Sequence, residues 1–426
     1  MINKQCICLL TIVYVFFITS GINIGISAIL LMLAMFLFAI FTMESKGKFV
    51  NTVFKFGPVK ALIIFLIMVS MALYISKYSS VKYILSLFSA FFPVILFKYF
   101  EESDKFKTVI KWTIFIWFVI GIRAVFLYSS GELSARELAA HVSTDTMLAG
   151  GGYGFAIGSA ILATFWLELM LWGKKRKSFF NILFFIILAL VVIETKSTIT
   201  ILAMFFGFIT SVFLRNLNIT SIRKMNTKQG VMCVLLLLGI LFIMGFRSNI
   251  GELIIKYTQG SDDIVLRRFR EFGILFTQGG DSVAYRGSDM AVRFELLKKS
   301  FDAFLENPIF GAVSKVGSNF YSLKAMGVGS HGELVDAFGK YGLLGAIPYL
   351  GIFIGMIKKE RTLQRTGIGF GYIVTFIILF CFNPCFYIQL NFILMFVLPG
   401  LTLIYNSDNN EEVEKTTKDR RNILLS

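Results

Sequence analysis

Apolar residues along this chain come in long unbroken runs rather than in strict alternation or in the narrow stripe of a soluble helix. The runs fall at roughly 5–22, 24–43, 61–76, 83–99, 112–128, 151–173, 178–194, 197–214, 231–246, 340–357, 368–382 and 392–405. They match or approach the about 17 to 25 residues that carry a helix across a bilayer. Hydrocarbon offers no water to backbone groups, so spanning runs of this kind must be helical. A barrel would instead show ten-residue segments alternating in hydrophobicity, which these runs do not. The pattern predicts an all-α polytopic integral membrane protein with about 12 transmembrane helices.

The polar intervals give the expected sidedness. Basic residues cluster in alternate connections: Lys46, Lys48, Lys55 and Lys60; then Lys98, Lys105, Lys107 and Lys111; then Lys174, Lys175, Arg176 and Lys177. Two further clusters follow, Arg215, Arg223, Lys224 and Lys228, and Lys358, Lys359, Arg361 and Arg365. With twelve spans, every cluster and both termini fall in the cytoplasm, as the positive-inside rule requires. The first run follows Lys4 as a signal peptide would, but a second begins almost at once, so an uncleaved signal anchor is expected.

Four segments follow from this reading. Residues 1–246 hold helices one to nine with a short outer connection at 129–150. Residues 247–339 form a long extracytoplasmic loop, 340–405 hold the last three spans, and 406–426 form a polar, disordered cytoplasmic tail.

Composition agrees. The 426 residues are 56% hydrophobic and 16% charged, with a mean hydropathy of +0.75, whereas a soluble domain carries about a quarter charged residues. The net charge of +16 sits in the orientation clusters, so no nucleic-acid partner is expected. The cysteines (Cys6, Cys8, Cys233, Cys381 and Cys385) lie in or beside apolar runs and read as buried thiols. Cys381 and Cys385 flank Asn383-Pro384 and are close enough in sequence to pair. No zinc-type or redox spacing occurs.

The long loop is not a solvated spacer. Val265, Phe269, Phe272 and Phe276 recur at helical spacing, with Arg267, Arg268 and Arg270 expected on other faces. A second amphipathic helix carries Phe294, Leu297, Phe301 and Phe304 or Leu305, and Pro308 ends it. Helices of this type lie in the membrane interface or pack on the ends of spans.

Within and after these helices stand Arg293, then Asn307-Pro308-Ile309-Phe310-Gly311, then Gly329-Ser330-His331-Gly332, then Tyr341-Gly342-Leu343-Leu344-Gly345. This order resembles the outer loop of the O-antigen ligase and Wzy-type polymerase superfamily, sharply over residues 286–345 and diffusely elsewhere. The Gly150-Gly151-Gly152-Tyr153-Gly154-Phe155 run resembles the entry of capsular polymerases. Where the family often has His-Asn, this chain has His331-Gly332, which leaves the histidine but removes a polar role for the residue after it.

The resemblance implies a GT-C-like bacterial inner-membrane glycosyltransferase whose partners are an undecaprenyl-diphosphate-linked oligosaccharide and membrane lipid. Flippase and chain-length regulator proteins are further expected partners. The leading expectation is a polysaccharide polymerase for O-antigen, capsule or exopolysaccharide. The alternatives are ligase-type transfer of finished glycan to another acceptor and, less favoured, a flippase or transporter. No cofactor and no metal are expected. The first outer connection, near 21–24, has no carboxylate to hold one, and arginine is the metal-free way to meet phosphate, because its fork matches phosphate oxygens and stays charged.

Arg293 is therefore the first candidate for the diphosphate and for catalysis, and His331 the candidate to take the acceptor proton or bond the leaving phosphate. Asp336 is the residue to orient His331 or act as base. Arg123, inside an apolar run, reads either as a further diphosphate ligand or as a side chain snorkelling to headgroups. Arg136 and Arg286 are further candidate phosphate ligands. No nucleotide-binding loop occurs, so the energy must arrive on the substrate.

Overall fold

The structure is a computed structural model that describes residues 2–20, 32–33, 35–37, 46–77, 81–101, 103, 105–130, 152–172, 178–213, 247–261, 263–279, 282, 288–315, 327–329, 331–363 and 370–405. Helix dominates, and no strand occurs among the described residues. The helices are α1 (Ile2–Thr19), α2 (Lys46–Lys55), α3 (Gly57–Ile75), α4 (Val81–Phe100), α5 (Phe106–Ser129) and α6 (Tyr153–Trp172). Then come α7 (Phe179–Glu194), α8 (Thr198–Phe213), α9 (Arg247–Thr258), α10 (Ile264–Gln278) and α11 (Asp289–Glu306). A 3₁₀ turn at Ala312–Lys315 precedes α12 (Glu333–Leu363) and α13 (Gly371–Phe382). The last helix, α14 (Ile388–Tyr405), contains a π-helical stretch at Ile393–Val397.

Among the described residues six helices are long and apolar enough to cross a membrane: α3, α4, α5, α6, α12 and α14. Shorter apolar helices are α1, α7, α8 and α13. The chain is thus an all-α membrane protein. The run expected at 231–246 and most of that at 24–43 lie outside the described residues.

Packing inside the bundle follows what hydrocarbon allows. Helices there gain little from hiding apolar surface, so close fit and buried polar contacts hold them. Trp117 of α5 stacks on Phe155 of α6, with ring centroids 4.6 Å apart, and its indole N–H donates to Ser159 Oγ at 3.0 Å. Thr164 of α6 and Thr375 of α13 share a hydrogen bond of 3.1 Å. Glu168 of α6 accepts from Ser211 Oγ of α8 at 3.0 Å and from the Gly371 amide of α13 at 2.6 Å. One buried carboxylate therefore ties three helices. Around α3, α4 and α12 an aromatic cluster forms from Phe65, Phe91, Tyr341, Tyr349 and Phe353.

The sequence places the starts of α3, α5 and α12 too late, that of α12 by the most. α12 begins at Glu333 rather than at Lys340. Its first turns are polar, so hydropathy does not register them, yet Glu333 and Asp336 suit the positive end of a helix. At Gly342 the backbone departs from helix (φ 59°, ψ −170°) before resuming, so the helix has a loop-borne half and an apolar half. The expectation that all five cysteines are buried holds for Cys8 and Cys385 alone: Cys381 is half-buried, Cys6 is exposed on the flank of α1, and Cys233 lies outside the described residues. Cys381 and Cys385 are unpaired thiols.

Candidate functional site

The expected amphipathic helices of the long loop are α10 and α11. Asp263 caps α10, its carboxylate accepting from the Val265 and Leu266 amides at 2.8 and 3.1 Å, the side-chain oxygen supplying what the first helical turn lacks. Arg270 closes the α9–α10 hairpin by donating to the carbonyls of Thr258 and Ser261. α11 is capped by Ser288, which accepts from the Ala291 amide at 3.1 Å. Glu271 of α10 accepts from the Met290 amide at 3.2 Å, fastening the two helices. Of the apolar stripe of α11, Phe294, Phe301 and Leu305 are exposed, and Leu297 and Phe304 are half-buried.

The two glycine-bearing motifs meet. At Gly342 the backbone releases the following amides from their intrahelical carbonyls. Leu343 instead donates to Pro308 at 2.8 Å and Leu344 to Ile309 at 3.2 Å. A Cβ at Gly342 would run into the Ile309 carbonyl, and one at Gly311 (φ 67°) into the backbone of Lys340 and Gly342. Glycine is required at both positions by conformation and by close approach. The contact sets α11 against α12.

The turn before α12 is then fixed by Asp336. Its buried carboxylate accepts from the His331 and Gly332 amides at 3.0 and 3.1 Å on Oδ2, and from Ser300 Oγ of α11 at 2.6 Å on Oδ1. Ser300 Oγ also accepts from the Gly329 amide at 3.2 Å. The Gly329-to-Gly332 turn is thus held from both sides. One residue further on, Glu333 accepts from Tyr349 Oη at 2.5 Å and from the Cys385 amide at 2.8 Å, tying the same turn to the segment between α13 and α14.

These contacts build a cavity of about 420 Å³ where α8, α10, α11, α13 and the turn before α12 converge. Arg293 and His331 both line it, together with Arg268 and Glu271. Its walls are apolar: Phe272, Phe276, Leu297, Ile378 and Phe382 contribute. Ser197 and Thr198 line it at the start of α8. A pocket of this size and mixed lining is of the kind that holds a ligand. Its polar groups suit an anion, and its walls suit an apolar chain. His331 is half-buried, and burial with the Arg293 guanidinium beside it holds its imidazole below the usual 6.5 against the opposing pull of Asp336. The ring is therefore neutral at pH 7 and able to take up a proton.

Of the candidates read from sequence, Arg293 and His331 come together. Asp336 does not line the cavity; its carboxylate is spent on backbone amides and Ser300. Arg123 is exposed on α5 and is not among the lining residues. Arg136 and Arg286 lie outside the described residues.

Arg268 is the residue that sequence reasoning put on the wrong side. It shares the cavity with Phe272 and Phe276 instead of facing away from them. The spacing 268, 272, 275 was available, but a face mixing charge with apolar residues breaks the single-stripe rule. Ser300 follows Arg293 and Leu297 at helical spacing, which was the signal for it. Thr198 had none, because a threonine within an apolar run is unremarked.

Comparison of the chain with protein families and with curated proteins returns no match.

Proposed function

We propose that this protein is a membrane glycosyltransferase that uses a lipid-diphosphate-linked glycan as donor, and specifically a polysaccharide polymerase. In this reading the loop of 247–339 faces the extracytoplasmic side. The protein moves a growing glycan from undecaprenyl diphosphate onto a sugar hydroxyl of a new lipid-linked repeat unit. The observation that carries it is one cavity in which Arg293, Arg268 and His331 stand, with Glu271, among apolar walls. A diphosphate needs fixed positive charge that never deprotonates, and a prenyl chain needs an apolar path.

In the proposed step the acceptor oxygen attacks the anomeric carbon of the donor glycan. The anomeric C–O bond to the diphosphate breaks, and the lipid diphosphate leaves with that electron pair. The acceptor proton passes to the neutral His331 imidazole. Arg293 and Arg268 oppose the charge that grows on the leaving oxygen, the term that preorganised charge supplies best in a site shielded from water. Asp336 and Ser300 hold the histidine turn.

The test is twofold. Purified protein supplied with lipid-linked repeat units should lengthen them without ATP; movement of the lipid across the membrane without lengthening would point to a flippase. In cells deleted for the gene, Arg293→Ala and His331→Ala expressed at normal level should collapse the surface-glycan ladder to single repeats. An unchanged ladder would remove both residues from the chemistry. Long chains retained on the carrier lipid would favour ligase-type transfer over polymerisation.

A further inference from the structure

The cavity has one more polar element, at the start of α8. Ser197 precedes the helix, and Ser197, Thr198 and Ile199 all line the cavity. The first N–H groups of an α-helix have no intrahelical acceptor and carry the positive end of its dipole. The Ser197 hydroxyl engages Thr200 Oγ1 at 2.8 Å, on the helix's own side chain. The second observation concerns Thr198. It is only 2% exposed, and its hydroxyl has no hydrogen-bond partner among the described residues. A buried hydroxyl left unsatisfied costs free energy unless a ligand completes it. Arg268 approaches the same place, with Nη1 donating to the Lys196 carbonyl at 3.4 Å immediately ahead of the helix.

We infer that the N-terminus of α8, with the Thr198 hydroxyl, is a phosphate seat that receives a phosphoryl group of a lipid-linked diphosphate beside Arg268. The inference rests on the donor reading above and adds a binding subsite to it. Its elements suit phosphate in particular. Helical amides, a hydroxyl and a guanidinium gather at one helix start, donors of the kinds that phosphate oxygens accept from, and helix N-termini bind such groups readily. The tail has its own path, since Leu202 and Phe206, one and two turns into α8, line the same cavity. The headgroup and the chain are thus met by successive turns of one helix. Thr198 becomes a binding determinant, with Arg293 and His331 left to the transferred bond.

The experiment uses the purified full-length protein and radiolabelled undecaprenyl diphosphate in a scintillation proximity assay, with undecaprenol and inorganic pyrophosphate as competitors. A hydrogen bond to a charged group contributes enough that Thr198→Val, which keeps the shape and removes the hydroxyl, should weaken undecaprenyl diphosphate about tenfold. Thr198→Ser, which keeps the hydroxyl, should stay within about twofold of the wild type. Thermal unfolding of each variant checks that the fold is kept. Inorganic pyrophosphate should compete only at much higher concentration, because it lacks the tail, and should lose the same factor in the valine variant. Valine and wild type binding alike while Arg293→Ala binds weakly would overturn the seat and leave the donor site standing. Undecaprenol competing as well as undecaprenyl diphosphate in the wild type would overturn the donor reading itself. Pyrophosphate competition that ignores the valine would show its phosphoryl groups bound elsewhere and overturn the seat.

Discussion

Ser300 and Asp336 join α11 to α12 through a side-chain hydrogen bond of 2.6 Å, and the same Asp336 carboxylate holds the amides of His331 and Gly332. The helix that carries Arg293 and the turn that carries His331 are thereby locked to one buried group. This arrangement separates two roles for Asp336. A general base would need its charge, whereas a clamp needs only acceptor oxygens and a polar partner for Ser300. Asp336→Asn should therefore keep glycan transfer within about threefold of the wild type. Asp336→Ala orphans buried donors, and should cost about 2–4 kcal/mol of stability with loss of activity, read by thermal unfolding and by the glycan ladder. Asp336→Asn as inactive as the alanine variant, with an unchanged melting temperature, would return the residue to acid–base chemistry.

The histidine gives a pH signature. Burial, with Arg293 beside it, depresses its pKa, so the ring stays neutral until the pH drops below 6.5, the usual value. Transfer that needs the neutral ring should persist through that value and fall only at lower pH. Arg293→Gln removes one cause of the depression, so the acid limb of its residual kcat/KM should move up. A limb that lies above 6.5 in the wild type, or that stays put in the glutamine variant, would mean that another group titrates.

Gly342→Ala should break the joint between the loop and the last bundle helices. Its φ of 59° with ψ of −170° belongs to a region that costs other residues of order 1–3 kcal/mol, and the added Cβ would meet the Ile309 carbonyl. The expected outcome is a lowered melting temperature and a polydisperse profile on size-exclusion chromatography. A monodisperse variant of normal stability would show that the α11–α12 contact yields easily.

Arg123 should be dispensable for the donor. It is exposed on α5 and does not line the cavity, which fits a long side chain reaching for headgroups. Arg123→Ala should bind undecaprenyl diphosphate as the wild type does, in contrast to Arg293→Ala. Equal losses in the two variants would place Arg123 on the path of the substrate.

What could be read from sequence follows from where physics is strict. Hydrocarbon forces long apolar helices, so α3 to α6 were legible, though α3 and α5 start about one turn or more ahead of their apolar runs, at Gly57 and Phe106. The order of residues along the loop singled out Arg293 and His331, and the fold brings both to one cavity. The start of α12 was not, because Glu333 and Asp336 make polar turns that no hydropathy window records. Arg268 was misplaced because α10 does not bury one face: it fastens to α9, caps α11 through Glu271 and lines a cavity, and no single stripe describes those tasks. The Ser300–Asp336 bond joins residues 36 positions apart, and only the fold brings them together.

The exposed part of the α11 stripe has a further consequence. Phe301 and Leu305 are about half exposed and do not line the cavity, a poor arrangement in water but a favourable one at the boundary of a bilayer. The same helix carries Arg293 to the cavity. In the proposed reading, a stripe seated at one level of the lipid would fix the level of Arg293 as well, which makes α11 a depth gauge. The lipid-linked donor proposed above would itself lie at a fixed height. Its encounter with the site then reduces to a search in a plane.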